Sequence, residues 1–397
     1  MLNCKGINMG RKPNTTKAQK TDFLRDLIME FPDENTSVAA DGVAAAEFSG
    51  WVDTGSYALN AVLSGSLYGG IADNKSTGFA GESATGKTFF VLGIVKAFQD
   101  KYEDGIVIYY DSEAAVTKQM MESRGIDTKR VVISEPETIQ KFRHHALKML
   151  DAYIKTPEAK RPKMMFVLDS LGMLSSTKEI EDTEKGAETK DMTKPGIIKA
   201  AFRVLTLKMA RAKVPMLVTN HVYAAIGAYV PTNEMSGGSG FKYAASTIAM
   251  LSKSKDRDGK DVIGSLIRVR MYKSRLSKEN QMVTVKLSYK TGLDRYYGLH
   301  EMCIEAGIWD KAAKGIKING SGYFEKAIYK NPDKFFTTDV LERLEKYVNA
   351  TYSYGGGSTS EELDEEVDEV FEEAEEDSEA ITKIKSKRKV TAKKKRA

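Results

Sequence analysis

Gly81-Glu82-Ser83-Ala84-Thr85-Gly86-Lys87-Thr88 decides the architecture of this chain, because it has the spacing of a phosphate-binding loop. Its two glycines let the backbone turn tightly and aim N–H groups at an anion. Lys87 is placed to reach β- and γ-phosphates, and the Thr88 hydroxyl to complete a Mg²⁺ shell. A glycine-rich surface turn with a solvated lysine has the same composition, so the flanks decide. Gly78-Phe79-Ala80 reads as a short buried strand, and Phe89 to Phe98 as an apolar helix. Strand, loop and helix N-terminus together form a nucleotide site.

Outward from this loop, short β-rich apolar runs alternate with helical patterns between about residues 50 and 300. Ile106 to Tyr110, Val131 to Ile133, Met164 to Leu168 and Met216 to Thr219 are near-continuous hydrophobic runs. They read as strands buried on both faces, as in a parallel sheet covered by helices. Ser265 to Met271 and Met282 to Leu287 alternate instead, like half-exposed antiparallel strands. A mixed, mainly parallel α/β sheet follows, with hairpins at one edge. Phe23, Leu24, Leu27, Ile28 and Phe31 space a short amphipathic helix that packs either on its own domain or on a neighbouring subunit. Residues 301–350 read as a small appended region, with a helix at Val340 to Leu344 capped by Thr338 or Asp339.

Candidate chemistry lies at the strand ends. Asp169 closes the Met165-to-Leu168 run, where a carboxylate can hold a Mg²⁺ shell through water. Asp111-Ser112-Glu113 closes another core strand; Glu113 is the candidate for orienting attacking water, against the plainer reading of an acid at a helix N-terminus. Asn220 and His221 end a further strand, in reach of a γ-phosphate. Two stretches, Ser176 to Pro195 and Val222 to Lys242, read as long flexible segments. As a pair they look like DNA-binding loops lining a filament or ring axis, the plainer reading being solvated linker.

The chain has 397 residues, enough for one large or two medium domains. No stretch reaches the length of a membrane span, and no apolar signal core is expected at the N-terminus. Cys4 and Cys303 are far apart, which fits a reducing compartment, and four histidines without cysteine neighbours argue against a structural zinc site. The adjacent His144 and His145 read as surface decoration. The net charge of +5 conceals an asymmetry: residues 361–379 carry thirteen acids and no base, and residues 380–397 nine bases and no acid. Removing this −4 leaves about +9 on the body, which suits an anionic partner. Residues 355–360 read as a flexible linker into a disordered tail.

Taken in order, these motifs resemble the RecA-type recombinases, and within them the phage UvsX branch. The series is Thr54-Gly55-Ser56, Gly81 to Thr88, Asp111-Ser112-Glu113, Val167 to Ser170, Asn220-His221, Gly237-Gly238 and Tyr272-Lys273-Ser274-Arg275. His221, Asp191-Met192-Thr193 and Lys273-Ser274-Arg275 agree with the phage branch. The likeness covers residues 50–300 well and the following region more loosely, with Asn331-Pro332 as a landmark.

The resemblance implies a RecA-like ATPase core over 51–300, an N-terminal arm (1–50) contacting another subunit, a small C-terminal α+β domain (301–354) and a tail (355–397). It implies ATP and Mg²⁺ as cofactors. Glu113 is implied as the catalytic glutamate, with Lys87, and Asp169 as the metal-side aspartate beside Thr88. His221 is implied as the γ-phosphate sensor. Lys273 and Arg275 are implied as cations presented to ATP on an adjacent subunit. For DNA it implies Ile226 as an apolar wedge and Gly237, Gly238 and Ser239 as phosphate contacts, with Met192, Lys199 and Arg203 alongside. Met120 stands where the family usually stacks an aromatic on adenine, and a thioether packs there more weakly.

The function implied is an ATP-dependent recombinase forming a helical filament on single-stranded DNA and pairing it with homologous duplex. Single-strand-binding and mediator proteins are further partners, and the location is the cytoplasm, the host's if phage-encoded. The competing readings are a hexameric helicase of the same core fold and a nucleotide-switched DNA-binding scaffold that barely hydrolyses.

Overall fold

The protein is described here as a computed structural model covering residues 15–30, 36–43, 46–186, 191–224, 233–237, 239–258, 260–288 and 292–354. Its strands are β1 Trp51–Val52, β2 Ile71–Ala72, β3 Ser76–Gly81, β4 Ile106–Asp111, β5 Val131–Ser134, β6 Met164–Asp169, β7 Met216–Ala224 and β8 Asn233–Met235. They continue as β9 Thr247–Asp258, β10 Asp261–Ser274, β11 Met282–Ser288 and β12 Gly292–Leu293, with β13 Asp310–Ala312, β14 Gly315–Ile318 and β15 Ser321–Tyr323 beyond. The helices are α1 Thr15–Glu30, α2 Tyr57–Ser64, α3 Lys87–Lys101, α4 Lys118–Glu122, α5 Ile139–Lys155, α6 Thr177–Glu184, α7 Lys194–Ala212 and α8 Ser239–Ala244. Residues beyond the core add α9 Leu299–Glu305, α10 Glu325–Lys330, α11 Pro332–Phe335 and α12 Thr338–Tyr352.

A ten-stranded sheet dominates, in the order β12-β11-β10-β9-β3-β7-β6-β4-β5, with β8 paired to β7. From β9 through β5 neighbouring strands are parallel, and from β9 to β12 they are antiparallel. Strand alternation sorts the core into two faces. Val107, Tyr109, Met165, Val167 and Leu217 join the cluster under α3, while Ile108, Tyr110, Phe166, Leu168 and Val218 join the one under α5 and α7. Each buried Phe or Leu here stabilises the fold by about 1.5–3 kcal/mol relative to exposure. The first cluster runs on without a break into Trp309, Ile316, Leu344 and Val348, so the appended residues share the core of the sheet.

Several expectations change. Val132 and Ile133 lie on the edge strand β5 and are exposed, although their run reads as doubly buried, because nothing described covers that edge. Residues 176–195 are not one flexible segment: α6 forms there, started by a capping box between Ser176 and Glu179. In the 222–242 stretch, β7 extends to Ala224 and pairs with β8, and α8 follows. The final helix is α12, begun by Thr337 rather than Thr338 or Asp339, with no side-chain capping bond. His145 is no decoration, since its ring bonds the Tyr110 hydroxyl at 3.1 Å. Phe31, residues 355–397, Ile226 and Gly238 lie outside the described residues. Among the described residues no helix is long and apolar enough to cross a membrane, and no cluster of metal-ligating side chains is present.

Candidate nucleotide site

The loop from Gly81 to Thr88 joins the end of β3 to the start of α3, as its sequence predicts. Gly86 sits at φ +94° at the helix N-cap, and Ala84 is also left-handed at φ 58°. Gly81 is required for a different reason: a Cβ there would come within 2.7 Å of the Leu251 carbonyl oxygen on β9. The Lys87 ammonium folds back on its own loop, donating to Gly81 O at 3.0 Å and Glu82 O at 2.9 Å. Burial holds its pKa below the ordinary lysine value, opposed by Glu113 and Asp169. A cavity of about 290 Å³ opens beside the loop, lined by Lys87, Thr88, Glu113, Asp169 and His221, with Phe89 and Leu287 as apolar walls.

Asp169 and Glu113 reach this cavity from neighbouring parallel strands, with Asp111 directly opposite Asp169 in the register. The Asp111 carboxylate accepts from the backbone N–H groups of Glu113, Ala115 and Val116 at 3.0, 3.0 and 2.9 Å. That turn, with Ala114 at φ 51°, aims the Glu113 side chain into the cavity. Glu113 Oε1 meets His221 Nε2 at 2.8 Å. Burial works to raise the Glu113 pKa, but hydrogen bonding and charge, those of His221 included, outweigh it and leave the carboxyl below its usual value. Sequence reading missed three groups here. The Tyr109 hydroxyl donates to Asp169 Oδ2 at 2.8 Å, and the Thr219 hydroxyl donates to Asp169 Oδ1. Lys253 on β9 donates to Ala84 O at 2.9 Å and adds a cation to the cavity wall. Nothing local marks the first two, since Tyr109 stands beside Tyr110 and Thr219 among ordinary strand residues.

Residues 31–294 match the family model of the RecA N-terminal domain, about two thirds of the chain. The chain belongs to the RecA family. The Recombination and repair protein of Enterobacteria phage T4 is 32% identical over 257 residues, covering 65% of this chain and 64% of its own length. The chain thus matches just under two thirds of that phage protein. Protein RecA of Mesorhizobium japonicum is 26% identical over 331 residues, covering 78% of this chain and 85% of its own. Protein RecA of Cereibacter sphaeroides is 24% identical over 322 residues, with 78% and 88% covered. The higher identity to the phage relative agrees with the branch that His221 and Asp191-Met192-Thr193 indicate.

In this RecA-family chain the remaining expected site residues divide between places. Met120 on α4 is outside the cavity lining; it packs against the core, and Arg124 donates to its carbonyl at 2.8 Å while lying 4.2 Å over the Phe89 ring. Lys273 and Arg275 do not line the cavity either. Ser265 of the same strand does, and Lys273 lies eight residues further on, about 26 Å away along an extended strand. Lys273 Nζ donates to Lys242 O at 2.6 Å and to Tyr243 O at 3.3 Å. Arg275 lines a groove of about 770 Å³ with Lys75, Lys199, Arg203, Leu207 and Tyr243. Met192 is fully on the surface at 80% exposure, just before α7. Gly237 takes φ +80°, and Ser239 begins α8.

Proposed function

We propose that this chain is an ATP-dependent DNA recombinase that assembles as a filament on single-stranded DNA and pairs it with homologous duplex. The observation that carries the reading is the separation of two half-sites. The phosphate loop, Glu113 and Asp169 sit at the carboxyl end of the parallel strands, and the cations at the amino end, where Arg275 N–H bonds Ser246 O ahead of β9. Lys273 is level with Gly78, about 10 Å short of Gly81 along the strands, and its ammonium is tied to carbonyls of α8 rather than to the phosphate loop. The two halves become useful together when a second copy brings its cations to the first copy's nucleotide.

In this reading Lys87 and the loop N–H groups hold the β- and γ-phosphates. Thr88 and, through water, Asp169 would hold Mg²⁺. Their hydroxyl and carboxylate oxygens are the hard donors that ion takes, and they line one cavity. The ion would supply charge neutralisation on the phosphate oxygens. Glu113 orients the attacking water and accepts its proton, with its carboxyl held ionised. His221 contacts Glu113 and reports on the γ-phosphate to the 222–242 segment that continues from β7. Lys273 and Arg275 from the adjacent copy neutralise charge developing on the transferred group. Met192, Lys199, Arg203, Ile226, Gly237, Gly238 and Ser239 are the proposed DNA contacts. Exposed Phe23, Leu24, Leu27 and Met29 on α1 support a contact between copies made by the 1–50 arm. The core spans 51–300, with 301–354 as its C-terminal extension.

Electron microscopy with single-stranded DNA and a non-hydrolysable ATP analogue tests this reading. Helical filaments are expected, together with hydrolysis stimulated by DNA. Closed rings that unwind a forked duplex would replace it with a helicase, and hydrolysis indifferent to DNA with a switched scaffold.

A further inference from the structure

Asp169 is almost completely buried, yet it forms no ion pair with any described cation, Lys87 included. Both of its oxygens are instead engaged by neutral hydroxyls from the two flanking strands. We propose that Tyr109 and Thr219 are positioning residues that hold the Asp169 carboxylate toward a hydrated divalent cation and away from the Lys87 ammonium. This role presupposes the metal-facing reading of Asp169.

The placement follows from register. On β4 and β6, Tyr109 pairs with Val167, and on β6 and β7, Leu168 pairs with Val218. The next step along β7 puts Thr219 directly across from Asp169, within reach of its short hydroxyl. Tyr109 lies one diagonal back on the other side, a span that a phenol bridges. All three side chains sit on the α3 face of the sheet, and Tyr109 and Thr219 are wholly buried.

The energetic logic is that of a half-buried cavity holding opposite charges. Lys87 and Asp169 attract each other there. An unrestrained carboxylate would swing toward that ammonium and fill the space phosphate and metal need. Two hydroxyl donors stabilise the carboxylate as well as a hydrogen-bonded ionised group requires, and add no charge. Each uses one lone pair per oxygen, leaving the others for water on a cation.

The test measures ATP binding by calorimetry on the full chain, first in EDTA and then with Mg²⁺ titrated at fixed ATP. Tyr109→Phe and Thr219→Val each keep shape and remove one hydroxyl. Each should raise the half-saturating Mg²⁺ concentration about tenfold while ATP affinity in EDTA stays within about twofold. Thr219→Ser restores the hydroxyl and should restore the Mg²⁺ midpoint. Asp169→Asn is the reference and should raise the midpoint at least as far. An unchanged midpoint in Tyr109→Phe and Thr219→Val, with the Asp169→Asn midpoint raised, overturns the positioning role alone. Equal losses with and without Mg²⁺, or no rescue by serine, also overturn it, since they mark general distortion of the cavity. An Asp169→Asn protein with the normal midpoint overturns the metal-facing reading and this role with it.

Discussion

At the carboxyl end of the parallel strands, Lys87, Asp169, Asp111 and Glu113 are each held by a group inside the site; at the amino end, Lys273 is tied to carbonyls of α8 while Lys199, Arg203 and Arg275 line an open groove. Lys87 bonds its own loop, Asp169 is held by two hydroxyls, Asp111 by three N–H groups and Glu113 by His221. Lys199, Arg203 and Arg275 instead line a groove with exposed Leu207 and Tyr243. The difference separates preorganisation from recruitment. On the proposed reading the phosphate-binding half of the site is preorganised within the chain, whereas the groove keeps its cations for another molecule.

Lys87→Ala should break the assembled end most severely, lowering ATP turnover by about 10³-fold in a steady-state assay. Turnover near that of the parent would remove Lys87 from the site. The contrast between ends is sharpened by Lys273→Ala/Arg275→Ala, which should cost about 10²-fold or more in DNA-stimulated turnover. ATP binding by the isolated chain should be spared. Mixed one-to-one with Glu113→Gln protein, the double variant should regain about a quarter of parental turnover. One interface in four then pairs an intact glutamate with intact cations. A mixture no faster than its components would place both halves on one copy.

A smaller effect is expected of Gly81→Ala. Its methyl group meets the Leu251 carbonyl oxygen at 2.7 Å and must displace backbone, costing about 1–3 kcal/mol in a denaturant melt. A melt unchanged from the parent would show that β3 and β9 part easily there. Smallest is the effect at Asp191, ahead of α7, whose carboxyl is lowered to about 2 by hydrogen bonds from Ser176 and Thr193. A depressed carboxyl stabilises the fold above its unfolded pKa of 3.8 and loses that contribution as pH falls toward about 2. Amide exchange at Thr193 and Lys194 should therefore quicken over that window. Asp191→Asn should flatten the response; an identical acid profile in the variant would discount the contact.

Much of the assembled end is legible in the sequence because its chemistry is written in contiguous runs. Gly81 to Thr88 and the apolar strand ending in Asp169 each carry a local pattern that local geometry obeys. What escapes reading depends on registers between distant strands. Thr219 and Tyr109 are fifty and sixty residues from Asp169, and each looks like an ordinary strand residue until the sheet order is known. The edge position of β5 is hidden for the same reason, since an apolar run does not say whether a neighbour covers it. Helix α6 was masked by polarity: Ser176 and Glu179 spell a capping box, but the weak apolar content of that stretch outweighs it.

The Lys273 ammonium is tied to the carbonyls of Lys242 and Tyr243, in the short helix α8 that closes the segment running on from His221. On the proposed reading, one end of that segment senses a nucleotide and the other carries a cation aimed at the next copy's nucleotide. Each protomer then couples its own nucleotide to its neighbour's through that segment. In a filament so coupled, the state of one nucleotide would bear on the next copy, one neighbour at a time.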